Sequence, residues 1–278
     1  MIMMYYTIFS SSLFGLRMSK YYLSFGLFTA ALFFSTAGVS NDLDQLDTIQ
    51  NSKLENRQCV VLLHGLARTS HSMDKMELAL IDEGYTTANI DYPSRTMKIQ
   101  DLSALAVADG VNQCREKGAG TINIVTHSLG GILARYYLAK NNLPEFGHLV
   151  QLAPPNQGSL IAEKFRNEQW FKWLTGPAGQ QLGTGKDSIP GMLGPVDYST
   201  AVIAGYDHNP VDNWMAEIIP GVDDGKVSVE NAKVEGMADF IVLPVTHISI
   251  MKEDEVIRQT LLFLNSGRFD HESVASND

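Results

Sequence analysis

The segment Thr126-His127-Ser128-Leu129-Gly130-Gly131 brings together an alcohol, an imidazole and two glycines at a spacing suited to nucleophilic chemistry. A serine hydroxyl is a weak nucleophile until a base takes its proton and a third group orients that base. Where a strand turns abruptly into a helix, the serine at the turn is lifted above the sheet, and small residues such as Gly130 and Gly131 let strand and helix approach. The full pattern has glycine two positions before the serine. Thr126 stands there instead, so the turn must widen slightly or direct this side chain away. A second feature is His64-Gly65-Leu66, at the end of an apolar run. The backbone N–H groups of Leu66 and Leu129 are the candidate donors to an oxyanion. His64 and His127 are read as loop-orienting residues rather than as bases.

If the partners follow in the order Ser, Asp, His, both lie downstream. His247 follows the run Val242-Leu243 closely and is preferred to His271, which lies in the polar tail. For the acid, Asp224 sits in a turn ahead of Val227-Ser228-Val229, read as a short strand, and Asp207 is its competitor. Asp223 is read as a cap of the same turn. A calcium loop needs third and fourth oxygen ligands at suitable spacing, and none follows the paired aspartates, so no metal is expected.

The elements that must position these residues alternate in type. Apolar runs predict strands at 59–63, 86–90, 121–126, 149–152, 201–204 and 239–243. Between and after them, helical spacing is read around Met73, Met76 and Leu80, from Leu102 to Val111, over 129–140 and over 254–264, with a short piece at 214–218. Such alternation implies a mostly parallel sheet covered on both faces, with reactive loops at the C-terminal ends of the strands. Around 154–195 the pattern fails: Gly and Pro are frequent and Phe165, Trp170, Phe171 and Trp173 lie among polar residues. This insertion is either a cap over an acyl pocket or a helical excursion packed on the core.

The chain has 278 residues, 45% apolar and 19% charged, which suits one globular domain with a sizeable core. Lys and Arg number 21 against 31 Asp and Glu, and the net charge of −10 argues against nucleic acid as a partner. It also argues against docking on anionic lipid by charge alone, and leaves open an apolar, transient contact with a lipid interface. An apolar run at 21–34 behind Lys20 reads as the core of a secretory signal over 1–40, cleaved after Ser40 or Ala37, with Met18 an alternative start. Export to a periplasm or the medium follows; an uncleaved N-terminal anchor is the alternative. A polar arm is expected over 41–57, a domain over 58–267 with the cap insertion at 156–198, and a flexible tail over 268–278. No nucleotide loop or cofactor fingerprint is present, so no organic cofactor is expected, and no oligomeric state is specified. In an oxidising compartment Cys59 and Cys114 are a disulfide candidate; two buried thiols are the alternative.

Taken together, His64-Gly65, the 126–131 segment, Asp224-Gly225-Lys226-Val227 and His247 resemble the α/β-hydrolase superfamily, more closely its bacterial lipase-like and esterase-like members. Leu152-Ala153-Pro154-Pro155-Asn156-Gln157-Gly158-Ser159 is similar to the loop such lipases carry after the strand that follows the elbow helix. The resemblance covers residues 58–266. It implies the α/β-hydrolase fold and a triad of Ser128, His247 and Asp224, because the superfamily's acid is an Asp followed by Gly-x-Val. It also places Cys59 and Cys114 at the sheet edge opposite the active site, where a bridge is feasible and worth about 3–4 kcal/mol. The implied activity is hydrolysis of hydrophobic or lipid-like carboxylic esters through an acyl-enzyme. The same triad would serve an acyltransferase, a thioesterase or an amidase, and a noncatalytic binding module could keep the elbow for shape alone.

Overall fold

The computed structural model describes residues 57–208 and 217–272. The signal segment and the polar arm as far as residue 56 lie outside the described residues, as does most of the helical piece expected at 214–218.

Each of the six apolar runs forms a strand: β1 (Gln58–Leu63), β2 (Thr86–Ile90), β3 (Thr121–His127), β4 (Phe146–Leu152), β5 (Thr200–Gly205) and β6 (Asp239–Leu243). All neighbours pair in parallel, in the order β2-β1-β3-β4-β5-β6. Parallel strands need long crossovers, and helices supply them. On the N-terminal side these are α1 (Asp74–Asp82), entered through a 3-10 turn, and α2, which runs as Ile99–Leu102, a π-helical turn Ser103–Val107 and Ala108–Glu116. Then comes α3 (Leu129–Leu138). The insertion contributes α4 (Leu160–Phe165), α5 (Gln169–Gln180) and α6 (Ile189–Leu193), and α7 (Val229–Ala232) and α8 (Asp254–Ser266) complete the set.

Strand residues alternate between the two faces of the sheet. Cys59, Val61 and Leu63 pack with Ile99, Leu102 and Val107 of α2 and Ile132 of α3, whereas Val60 and Leu62 pack with Met76 and Leu80 of α1 and Phe263 of α8. Cover on both faces explains why β1 reads as an unbroken apolar run rather than an alternating one.

The chain steps from β1 out to β2 and then returns to β3 on the other side of β1. Loops leaving β1 and β3 therefore diverge and open a crevice at their C-terminal ends. Leu63 pairs with Thr126, so His64-Gly65-Leu66 and His127-Ser128 leave the sheet side by side.

Two local expectations need correction. Val227-Ser228-Val229 is not a strand: an isolated bridge joins Asp223 to Ser228, after which the chain turns helical. Ser228 is the reason, because its hydroxyl accepts the Asn231 N–H at 3.1 Å and caps α7. The start of the tail is held rather than loose. Phe269 is buried against Phe263, Asp270 meets Arg258 at 3.0 Å, and His271 meets Asp239 at 2.8 Å. Cys59 and Cys114 are bonded, with Cα atoms 5.7 Å apart. As expected, their bridge ties the C-terminal end of α2 to the N-terminal end of β1, the rim of the sheet opposite the turn that carries Ser128. Among the described residues no helix is long and apolar enough to cross a membrane.

Candidate active site

Between β3 and α3 the backbone makes the sharp turn that the residue types suggest. Ser128 is at φ 51°, ψ −116°, a region costly for a residue with a side chain. The turn is held by its neighbours: the Ser128 N–H donates to the Leu152 carbonyl at 2.8 Å, and its carbonyl accepts from Gly131 at 2.9 Å. A Cβ on Gly130 would lie 2.7 Å from the Leu63 carbonyl oxygen, so only glycine lets α3 cross β1 this closely. Thr126 fits because its hydroxyl is aimed sideways, towards the Val150 carbonyl of β4 at 3.4 Å.

His247 faces the serine, with Nε2 3.1 Å from Ser128 Oγ and Nδ1 2.7 Å from Asp224 Oδ2. A carboxylate can only accept, so Nδ1 carries the proton and Nε2 presents a lone pair to the hydroxyl. The other carboxylate oxygen of Asp224 accepts the backbone N–H groups of Lys226 and Val227 at 3.0 and 2.8 Å. The His247 N–H donates to the Asp224 carbonyl at 3.0 Å, which ties base loop to acid turn. All three residues expected to act together are thus in one hydrogen-bonded line. Asp207 is exposed and accepts the His208 N–H instead, and His271 is engaged by Asp239. Asp223 closes the acid turn by accepting the Gly225 N–H at 2.7 Å and faces His208 Nε2 at 3.0 Å; burial raises the pKa of its carboxyl.

His64 and His127, the two histidines expected to orient loops, do so. His64 donates from Nδ1 to the Gly65 carbonyl at 2.8 Å, accepts the Tyr92 N–H at Nε2, and stacks on the Tyr92 ring at 3.9 Å. His127 donates from Nε2 to the His247 carbonyl at 3.0 Å. Burial depresses the pKa of both rings, and for His127 it does so strongly, with the charges of His247 and Arg68 adding to the effect. Leu129 opens α3, where the N–H groups of the first turn have no acceptor within the helix. Leu66 lines the same cavity as Ser128, directly before Ala67 at φ 59°.

That cavity has a volume of about 240 Å³, with Ser128 and His247 on one side and Trp170, Phe171 and Leu174 of the insertion on the other. Trp173 is different: it is 78% exposed and points away.

Sequence reasoning missed Arg135, which is buried in α3. Its guanidinium donates to the Asn156 carbonyl at 3.1 Å, to Asn156 Oδ1 at 3.0 Å and to the Gly194 carbonyl. Asn156 in turn donates to Gln151 at 2.9 Å and to the Ala232 carbonyl at 2.8 Å. Asn156 and Gly194 lie near the two ends of the insertion, so one cation ties both its roots to the helix that follows Ser128. Burial lowers the pKa of Arg135, and the phenol of Tyr198 beside it is pushed up to about 12, chiefly by burial. The only trace in the sequence is a cation closing the otherwise apolar stretch 129–134.

No family model and no curated protein matches the sequence. Solved structures do. A lipase of Bacillus licheniformis in its mature form superposes with a TM-score of 0.62 at 20% identity, over 75% of this chain and 92% of that one. A metagenomic carboxyl esterase gives 0.57 at 18% identity, over 70% and 66%. An esterase of Pyrococcus furiosus gives 0.52 at 17%, over 76% and 84%. The six-stranded parallel sheet with helices about it is the α/β-hydrolase fold.

Proposed function

We propose that this protein is a serine hydrolase of carboxylic esters with hydrophobic acyl groups, in which Ser128 is the nucleophile, His247 the general base and Asp224 the group that orients it. The observation that carries this reading is the line of hydrogen bonds from Ser128 Oγ through His247 to Asp224, set at a strained strand-to-helix turn. The lipase and esterases of the same fold support the reaction class.

As Ser128 Oγ bonds to the ester carbonyl carbon, its proton passes to His247 Nε2. The carbonyl oxygen becomes an oxyanion, which accepts hydrogen bonds from the N–H groups of Leu66 and Leu129. When the carbon–oxygen bond to the alcohol breaks, the leaving alkoxide takes the proton from Nε2. Water then repeats the sequence on the acyl-enzyme, releasing the acid and restoring Ser128. The apolar cavity beneath the insertion takes the acyl chain. Export through the 1–40 segment belongs to the same proposal, and the Cys59–Cys114 bond supports it because such bonds persist in oxidising compartments.

Turnover of p-nitrophenyl esters of increasing acyl length, with and without an excess of a small alcohol, tests the function. Saturable release of free acid is the expected result. Transfer of the acyl group mainly to the added alcohol would identify an acyltransferase, and inertness of the folded protein towards every ester would overturn the reading.

A further inference from the structure

Beside the cavity under the insertion lies a second, more open cleft of about 450 Å³, whose walls include Ala67, Arg68, Asp91, Ser94 and Arg95. Ala67 and Arg68 border both spaces, so a molecule with its carbonyl at Ser128 can reach from one into the other. We propose that this cleft binds a phosphate carried on the leaving group of the substrate. The inference rests on the ester hydrolase reading and deepens it: the acyl chain enters the apolar cavity, and a phosphate-bearing alcohol or thiol occupies the cleft.

Charge is the first support. Among the described residues no carboxylate lies within ion-pair distance of the guanidinium of Arg68 or of Arg95, although acids outnumber bases by 31 to 21 in the chain. Arg68 is half-buried at the rim of the Ser128 cavity and Arg95 is exposed beside it, and each guanidinium has five donors to offer. Its planar fork matches a phosphate in two-point contact, which an ammonium cannot do. Asp91 stands in the same cleft, where it accepts the Ser70 N–H at 3.1 Å and lies 3.7 Å from His64 Nε2. Two cations against one anion leave a single positive charge, which suits a singly charged phosphodiester.

Rigidity is the second. The Ala67 N–H donates to Ser94 Oγ at 3.0 Å, linking the two walls. Beneath them Tyr92 stacks on His64 and its hydroxyl donates to the His64 carbonyl, so the floor is buried and fixed. Across the mouth the insertion is pinned close, because a Cβ on Gly176 would collide with the Arg95 carbonyl. A preformed site loses little conformational entropy on binding.

The test uses hexanoyl donors that share one acyl chain: a neutral monoacylglycerol, a lysophosphatidylglycerol and an acyl-coenzyme A. At low salt the wild type should process at least one phosphate-bearing donor with a kcat/KM about tenfold or more above that of the neutral one. The preference should collapse in about 0.5 M salt, where such contacts are screened. Arg68→Gln with Arg95→Gln should lower the ratio of charged to neutral kcat/KM about tenfold, and Asp91→Asn should raise it. A higher rate on the lysophospholipid identifies a lipid headgroup as the source of the phosphate, and a higher rate on the thioester identifies a carrier. Equal kcat/KM values across the series, or a preference unchanged in the double arginine variant, would overturn the proposal. Titration of Ser128→Ala with the same compounds reads the cleft without turnover. If no ester is cleaved but charged donors still bind more tightly and depend on Arg68, the ester hydrolase reading fails and the cleft stands.

Discussion

His127 Nε2 donates to the main-chain carbonyl of His247 at 3.0 Å, so the residue before the serine holds the residue that faces it. Three contacts fix the base loop: this one, the backbone bond from His247 to the Asp224 carbonyl, and the Nδ1 contact with the Asp224 carboxylate. His247 is thereby oriented through its backbone as well as its ring, which is the preorganisation a proton relay needs.

Acid lability follows from the same burial. His64 and His127 bind a proton more weakly in the folded chain than in the unfolded one, where the ordinary value is 6.5. Their neutral forms therefore contribute stability that is complete above about pH 6.5 and is lost as pH falls from there towards the depressed folded values. His127→Gln keeps a donor for the His247 carbonyl and removes one titration. The difference in Tm between about pH 7.5 and about pH 5 should shrink by a few degrees in this variant, since about 1 kcal/mol corresponds to roughly 2–4 °C at this size. An unchanged difference would show that His127 is not a source of the acid sensitivity.

Arg135 should prove structurally demanding. Arg135→Ala removes the donor and leaves the buried Asn156 carbonyl and Oδ1, and the Gly194 carbonyl, each one partner short, at an expected loss of about 2–4 kcal/mol. Arg135→Lys restores the charge but not the fork that spans both roots of the insertion. Urea unfolding checks the first expectation. The second is checked by kcat and KM for a long-chain ester, where KM should rise more than kcat falls. Wild-type parameters in Arg135→Lys would refute the staple.

The bridge between Cys59 and Cys114 closes a span of 55 residues, for which loop entropy gives about 4 kcal/mol. It joins the ends of β1 and α2 remote from Ser128. The double serine variant should therefore unfold at lower denaturant yet retain wild-type kcat/KM while folded. A loss of activity without a loss of stability would contradict this separation.

The scaffold was legible because a parallel sheet leaves strong marks. Val60 to Leu63 is fully buried on both faces, and only an uninterrupted apolar run satisfies that. Ser128 was legible because a strand, a tight turn and paired glycines are needed together. Val227-Ser228-Val229 misled because two β-branched residues favour a strand, while the hydroxyl between them caps a helix. Nothing local marks Arg135, whose partners lie 21 and 59 positions away and are brought to it only by the fold. Phe269 was misjudged for a similar reason: one aromatic in a polar tail carries no periodicity, yet it packs on Phe263 from the preceding helix.

Labelling with a fluorophosphonate, which reacts only with an activated serine, tests the central claim most directly. One adduct on Ser128 is expected in the wild type, none in Ser128→Ala, and a rate reduced by about 10³-fold or more in His247→Ala, since the nucleophile and its base act as a unit. Asp224→Asn should also slow labelling, because the ring would lose the partner that fixes its tautomer. Labelling that persists in Ser128→Ala, or a folded wild type that takes no label even with detergent to open the insertion, would contradict the account.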